Sequence, residues 1–144
     1  MSEKVIWDFL KSQGLNDYGV AGLMGNLYAE SALQSNNLQN TYSKKLNLSD
    51  EEYTKKVDNG TYTNFVRDSA GYGLAQWTFW SRKQNLLNYA KENKSSIGDL
   101  NMQLNFLMKE LSASYPKVLS TLKSAKTVRE ASDVVLLQFE RPAD

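Results

Sequence analysis

The stretch Gly22–Ser31, GLMGNLYAES, together with the residues just before it, decides the fold of this chain. Val20, Leu23 and Leu27 recur at spacings of three and four residues, which predicts an amphipathic helix. Asn16, or the aspartate that follows it, can cap the start of this helix. The sequence therefore predicts a helix that buries one apolar face and ends close to the acid of the quoted stretch.

The same helix carries Gly19, Gly22 and Gly25, which lie three residues apart. Each glycine weakens a helix by about 1 kcal/mol relative to alanine. Three of them in one stripe predict that a neighbouring backbone packs very close to this helix. We therefore expect it to be the central helix of the fold.

The rest of the chain has the same helical spacing of apolar residues and contains only two prolines. Capping residues indicate where further helices begin, and three of them form capping boxes with a Glu or Gln three residues later. The predicted starts are Ser2, Asn16, Ser49 (box with Glu52), Ser81 (box with Gln84), Asp99, Tyr115 and Thr127 (box with Glu130). We expect an all-α fold of about seven helices, with at most a minor β-hairpin.

Two segments depart from this amphipathic pattern. Residues Ser31–Thr41, SALQSNNLQNT, are polar and predict irregular structure. Residues Val134–Leu137 are apolar on every side of a helix, which predicts a buried final element.

Composition limits the possible chemistry. The chain has 144 residues, 41% of them hydrophobic, which predicts one domain over residues 1–144. Seventeen basic and sixteen acidic residues give a net charge of +1, so nothing favours nucleic acid as a partner. Without His or Cys the chain has no Ser-His-Asp triad, cysteine nucleophile or disulfide, and no cofactor or metal site is predicted.

The two ends of the chain carry little information about its location. MSEKVIWDFL lacks the features of a signal peptide, and no apolar run approaches the roughly 18 residues that span a bilayer. The last helix is followed closely by RPAD, which is compatible with a longer modular protein.

Glu30 is the leading candidate for a catalytic residue. It follows Leu27 by three residues and Leu23 by seven, so its carboxyl group is predicted to lie on the apolar face. Desolvation and the negative end of the helix dipole both favour the protonated acid. Such an acid can protonate the leaving oxygen of a glycosidic bond. The alternative is a solvated glutamate where a helix frays.

The second motif is the segment Asp68–Trp80, DSAGYGLAQWTFW. Aromatic rings stack on sugar faces, amides bind hydroxyl groups, and glycines allow a ligand to approach the backbone. This mixture favours a glycan site. The alternative is that Trp77, Phe79 and Trp80 belong to the hydrophobic core.

Glu-Ser, a polar stretch and then Gly-x-Gly-Leu-x-Gln resemble the lysozyme-like superfamily, notably goose-type lysozymes and soluble lytic transglycosylases. GNLYAESAL, GYGLAQWT, Arg82-Lys83, QLNFLMKEL and FERP together are similar to the phage tail lysozyme family of endolysins and tail-associated lysins. This resemblance covers nearly the whole chain. It implies a lysozyme-like fold with a substrate cleft and a muramidase that cuts the β-1,4 bond between N-acetylmuramic acid and N-acetylglucosamine in peptidoglycan.

The resemblance also implies roles for individual residues and a place of action. Glu30 matches the catalytic acid of the family, and Glu140 matches the glutamate of its ERP signature. The protein would act on the bacterial wall, either as an endolysin released after holin action or as a virion tail component. The candidate substrate-binding residues are Tyr72, Gly73, Gln76, Trp77, Trp80 and Glu140, with Leu74 as a further motif position.

Hydrolysis also needs a second group, and Asp68 is the leading candidate for it. Asp68 precedes Gly71 by three residues, and goose-type enzymes carry an acid at a similar distance. Alternatively, Asp68 orders the loop through backbone hydrogen bonds. Glu140 is the other candidate, although an ion pair with Arg141 or Lys83 is its simpler role.

Other reactions and functions stay open at this point. Without a carboxylate opposite Glu30, a transglycosylase in which the 6-hydroxyl of the substrate attacks becomes credible. A glucosaminidase would act on the same glycan. A wall-binding or tail structural module without turnover is the alternative of another class.

Overall fold

The computed structural model describes residues 2–140 of the chain. These residues are mostly helical and form no β-strand, which confirms the predicted all-α fold. None of the described helices is long and apolar enough to cross a membrane. The helices are α1 (Ser2–Ser12), α2 (Asp17–Ser31), α3 (Asn40–Leu46), α4 (Asp50–Asp58), α5 (Trp80–Glu92), α6 (Leu100–Ser114), α7 (Pro116–Ser124) and α8 (Val128–Val134), followed by a π-helix (Val135–Glu140).

The chain divides into two compact units. The described residues of the first, which we call the terminal unit, are 2–33 and 107–140; residues 34–106 form the middle unit. Within the terminal unit, α2 packs against α1, α7, α8 and the π-helix, so its predicted central position is confirmed there. A single domain over residues 1–144 stays a prediction.

The glycines of α2 allow this close packing at two of three positions. A Cβ atom on Gly19 would lie 1.8 Å from the carbonyl oxygen of Leu122, and one on Gly22 would lie 2.6 Å from the Cβ of Ala131. The prediction is wrong for Gly25, where nothing lies within 4 Å of the added atom. A spacing of three residues falls short of a full helical turn, so the third glycine has rotated off the contact face.

Most of the predicted helix starts are confirmed. The side chains of Asn16, Asp99 and Thr127 each accept a hydrogen bond from a backbone N–H three residues later. Ser49 and Glu52 form the complete capping box. At Thr127 the box is incomplete, because the carboxylate of Glu130 accepts from the N–H of Lys126 instead.

Two helix predictions differ from the structure. The box at Ser81 is wrong, because α5 begins at Trp80 and no side chain caps it. Helix α3 was not predicted, and its first two residues fall in the segment Ser31–Thr41, which was predicted to be irregular. It buries none of its residues and has no side-chain cap, so it leaves neither an apolar period nor a capping signal in the sequence.

The prediction of a buried final element is also wrong. Val135 and Phe139 are fully buried, but Leu136 is 43% exposed and Leu137 is 69% exposed. Four consecutive apolar residues point in all directions around a helix, and the neighbouring helices cover only one side of it.

Candidate active site

Glu30 lies in the last turn of α2, whose end is closely defined. The serine after it is buried and donates a hydrogen bond to the carbonyl of Leu27 at 3.0 Å. Ala32 then adopts the left-handed conformation, with a φ of 54°, and its N–H donates to the carbonyl of Tyr28. These bonds hold the backbone on both sides of the acid.

The Glu30 side chain is exposed, so the prediction that it faces the core is wrong. The inward position in this turn belongs to Ser31, which lies four residues after Leu27, whereas Glu30 lies only three after it. Partial burial nevertheless raises the pKa of the Glu30 carboxyl group, in the direction predicted. The acid is therefore open to a ligand and holds its proton more tightly than an ordinary glutamate.

Asp68 of the middle unit is almost completely enclosed, with 3% of its side chain exposed. Its Oδ1 accepts hydrogen bonds from Lys83 Nζ at 2.7 Å and from the N–H of Ala70 at 2.9 Å. Its Oδ2 accepts from the hydroxyl groups of Tyr53 at 2.6 Å and Tyr62 at 2.8 Å. A carboxylate has about four lone-pair sites, so its capacity to accept hydrogen bonds is filled.

Lys83 is the cation of this cluster and is fully buried. Besides Asp68, its ammonium group donates to the carbonyl of Ala70 at 2.7 Å and to the Tyr53 hydroxyl at 3.3 Å. The ammonium also lies 4.3 Å from the centre of the Phe65 ring. Burial lowers the pKa of Lys83, and the hydrogen bond and charge of Asp68 oppose this shift.

The phenols of the cluster stay protonated. Burial, followed by the hydrogen bond to Asp68, raises the pKa of both Tyr53 and Tyr62. Neutral phenols can donate hydrogen bonds to a carboxylate, so these shifts fit the observed bonding.

Glu140 is half-buried at the end of the π-helix. Lys83, one of its two predicted ion-pair partners, pairs with Asp68. An ion pair of Glu140 stays a prediction. The other predicted partner, Arg141, lies outside the described residues. A role for Glu140 in substrate binding stays a prediction.

Residues 69–77, which we call the Gly-Tyr-Gly loop, close on themselves. The backbone groups of Tyr72 and Trp77 bond reciprocally at 3.1 and 2.9 Å. Gly73 and Gln76 both have positive φ angles, 82° and 51°, which turn the chain sharply between them. The Gln76 amide donates to the carbonyls of Gly73 and Asn37, both at 3.0 Å, so it shapes the loop from within.

Two further glutamines fix this loop to other parts of the middle unit. The side-chain amide oxygen of Gln39 accepts a hydrogen bond from the backbone N–H of Gly71, and the backbone N–H of Gln39 donates to the carbonyl of the same glycine. Gln103 is fully buried and accepts from the N–H of Leu74 at 2.9 Å. A Cβ atom on Gly73 would lie 2.8 Å from the Gln103 amide oxygen, which explains why this position is a glycine.

The aromatic residues of the motif separate into two groups. Tyr72 and Trp77 are fully buried, where Tyr72 stacks on Tyr53 and Trp77 lies edge-on against Phe106. The alternative of a core role therefore describes Trp77 well. Their rings offer no face to a ligand in this conformation.

Phe79 and Trp80 form the exposed group, with 63% and 49% of their surfaces accessible. The guanidinium of Arg67 lies 5.3 Å from the centre of the Trp80 ring. A sugar can stack on these two rings, so substrate binding by Trp80 stays a prediction with a suitable surface.

Sequence reasoning missed Tyr53, Tyr62, Gln39 and Gln103 as residues that build the loop. Gln103 left a signal, since it is a polar residue four positions before Leu107 and eight before Leu111 on an apolar helix face. Tyr53 and Tyr62 gave no signal in the sequence. Irregular structure separates them from their partner Asp68, so no regular spacing marks the contact.

The comparison with protein families agrees with the motif resemblance. The family model described as phage tail lysozyme matches residues 2–144, essentially the whole chain.

Proposed function

Because the chain belongs to the phage tail lysozyme family, a family of lysozyme-like proteins that degrade peptidoglycan, we propose that it is a muramidase. It would hydrolyse the β-1,4 bond between N-acetylmuramic acid and N-acetylglucosamine in the wall of a bacterial host. The observation that carries this proposal is Glu30, an accessible acid with a raised pKa at the firmly held end of α2.

In the proposed reaction Glu30 is the general acid. Its proton passes to the bridging oxygen as the bond from that oxygen to the muramic acid C1 breaks, which leaves a hydroxyl group on the glucosamine. Water supplies the new oxygen at C1 and releases one proton, and uptake of a proton by the Glu30 carboxylate restores the acid for the next turnover. The raised pKa supports this role because it increases the fraction of enzyme that carries the proton.

Trp80 and Phe79 are the best candidates for stacking on sugar rings, since both are exposed. Gly73, Gln76 and the buried rings of Tyr72 and Trp77 support binding by setting the shape of the loop rather than through free aromatic faces. In this proposal the loop contacts the glycan mainly through its surface near Trp80.

A lytic transglycosylase is the second candidate, and the enclosure of Asp68 favours it. A carboxylate whose acceptor sites are filled cannot also receive a proton from water without losing a bond. In a transglycosylase the 6-hydroxyl of the muramic acid attacks C1, and Glu30 would serve first as acid and then as base.

Mass spectrometry of the digestion products tests the proposed function. Purified wall sacculi are incubated with the protein, and the released fragments are reduced with borohydride before analysis. We expect N-acetylmuramic acid at the reducing end. A 1,6-anhydro end would assign the transglycosylase, and a reducing glucosamine end a glucosaminidase. Protein that pelleted with sacculi and released no fragments would be a binding module.

The pH dependence of cleavage provides a second test. We expect kcat/KM to fall as the pH rises through the pKa of Glu30, because the general acid works only while protonated. Since partial burial raises that pKa, the alkaline limb is expected above 4.5, the ordinary value for glutamate. The measurement uses soluble peptidoglycan fragments in buffers of constant ionic strength. An alkaline limb at or below 4.5 would contradict the role assigned to Glu30.

A further inference from the structure

We infer that Asp68 and Lys83 are a positioning pair: their buried ion pair fixes the start of the Gly-Tyr-Gly loop, and Asp68 takes no proton from water. This inference rests on the proposed function for its kinetic consequences. It rests on the geometry of the middle unit for everything else.

All the acceptor sites of the Asp68 carboxylate are occupied. Its four hydrogen bonds come from Lys83, Ala70, Tyr53 and Tyr62, and its side chain is 97% buried, being 3% exposed. To accept a proton from water it must release one of these donors. Release of Lys83, Tyr53 or Ala70 would cost a buried donor its bond to the carboxylate, which is unfavourable.

The Asp68–Lys83 pair contacts the backbone of the loop. Asp68 accepts from the N–H of Ala70, and Lys83 donates to the carbonyl of the same residue. The two charged side chains therefore hold both polar backbone groups of Ala70. The preceding residue, Ser69, has a φ of 63°, a conformation that non-glycine residues rarely adopt. Such a conformation persists only where surrounding bonds impose it.

The pair and the tyrosines around it also join separate elements of the middle unit. Lys83 belongs to α5 and Tyr53 to α4, while Asp68 and Tyr62 lie between these helices in the chain. Because Tyr53 donates to Asp68 and accepts from Lys83, the three groups form a closed set of hydrogen bonds. These hydrogen bonds therefore hold the start of the loop in a fixed position relative to α4 and α5.

Two variants test the inference. Asp68→Asn removes the anion with little change of shape, and Lys83→Met removes the cation while keeping an unbranched chain. Asp8→Asn and Lys4→Met are matched controls, because Lys4 and Asp8 form an ion pair of 2.6 Å that is exposed on α1. All are assayed for kcat, KM and pH profile below their melting temperatures.

We expect both Asp68→Asn and Lys83→Met to lower kcat about 100-fold at every pH, since misplacing a binding loop by about 1 Å has an effect of this size. The pH profile of Asp68→Asn should have the same shape as that of the wild type, on its acidic side as well as on its alkaline side. The control variants should match the wild type. If Asp68 were the base, its variant alone would lose the acidic limb. If the pair served only stability, both variants would melt earlier and keep the wild-type kcat. Either of these two results would overturn the inference.

Amide hydrogen exchange gives a readout that does not depend on enzyme activity. In Lys83→Met, residues 69–77 should exchange faster while the amides of α4 and α5 stay protected. Unchanged protection of the loop would count against positioning, whatever reaction the wild type performs. Conversely, a wild type that releases no glycan would refute the proposed function and leave this measurement valid.

A milder variant serves if the two charge variants do not fold. Tyr62→Phe removes one donor from Asp68 without changing any charge. We expect faster exchange at residues 69–77, a moderate loss of kcat and a pH profile of unchanged shape. Exchange and kcat equal to those of the wild type would contradict the inference.

Discussion

Replacing Glu30 by glutamine is expected to lower kcat for peptidoglycan cleavage by about 10²- to 10⁴-fold, the usual contribution of a general acid. Glutamine keeps the size and polarity of the side chain but has no acidic proton to give to the leaving sugar oxygen. The measurement is the release of reducing ends from purified sacculi at saturating substrate. Because binding contacts are kept, KM should change much less than kcat.

The same variant is expected to keep the fold intact. A carboxyl group whose folded-state pKa is raised stabilises the protein below its unfolded pKa, and this contribution is lost as the pH rises through the folded pKa. At neutral pH the ionised Glu30 is therefore unfavourable for folding. Glu30→Gln should melt no earlier than the wild type there, so lost activity cannot come from unfolding.

Glu92→Gln is the matched control, since Glu92 is an exposed glutamate in the last turn of another long helix, α5. It should clear cell walls at the wild-type rate. Clearing by Glu30→Gln at the rate of this control would remove Glu30 from the mechanism. In that case another acid, with Glu140 the first to examine, would have to protonate the leaving group.

The sequence predicted the helices that bury an apolar face better than those that do not. Helix α2 has a regular stripe and a capping asparagine, and both are present in the structure. Helix α3 buries none of its residues, so no hydrophobic period marked it. The prediction that the π-helix is buried failed for a different reason. Its apolar residues face all sides, so the sequence does not indicate which side the neighbouring helices cover.

The sequence predicted candidate residues of the site but not the contacts between them. Glu30 and the Gly-Tyr-Gly loop were found from an acid at a helix end and an aromatic, glycine-rich motif. The exposure of Glu30 depends on which residue of the last turn faces inward, and a shift of one position decides it. The enclosure of Asp68 depends on Tyr53 and Lys83, each fifteen residues away from it in sequence. Only folding brings Tyr53, Asp68 and Lys83 into contact.

Adding a methyl group to Gly19 is expected to destabilise the terminal unit by about 3 kcal/mol, the upper part of the usual range for overpacking. The new Cβ would lie 1.8 Å from the carbonyl oxygen of Leu122 and 2.7 Å from its carbonyl carbon. Both atoms belong to the backbone of α7, so no side-chain rotation can relieve the clash. Helix α7 would have to move away from α2, and the apolar surface between them would be less well packed.

Gly25→Ala should have the opposite effect and is the matched control for Gly19→Ala. Both substitutions add one methyl group to the same helix, but an added Cβ at Gly25 meets nothing within 4 Å. Alanine is favoured over glycine inside a helix by about 1 kcal/mol, so this variant should be more stable than the wild type by up to that amount. Urea denaturation followed by circular dichroism measures both changes. Equal stability of the two variants would contradict the packing of α2 against α7, since helix propensity alone would then account for both positions.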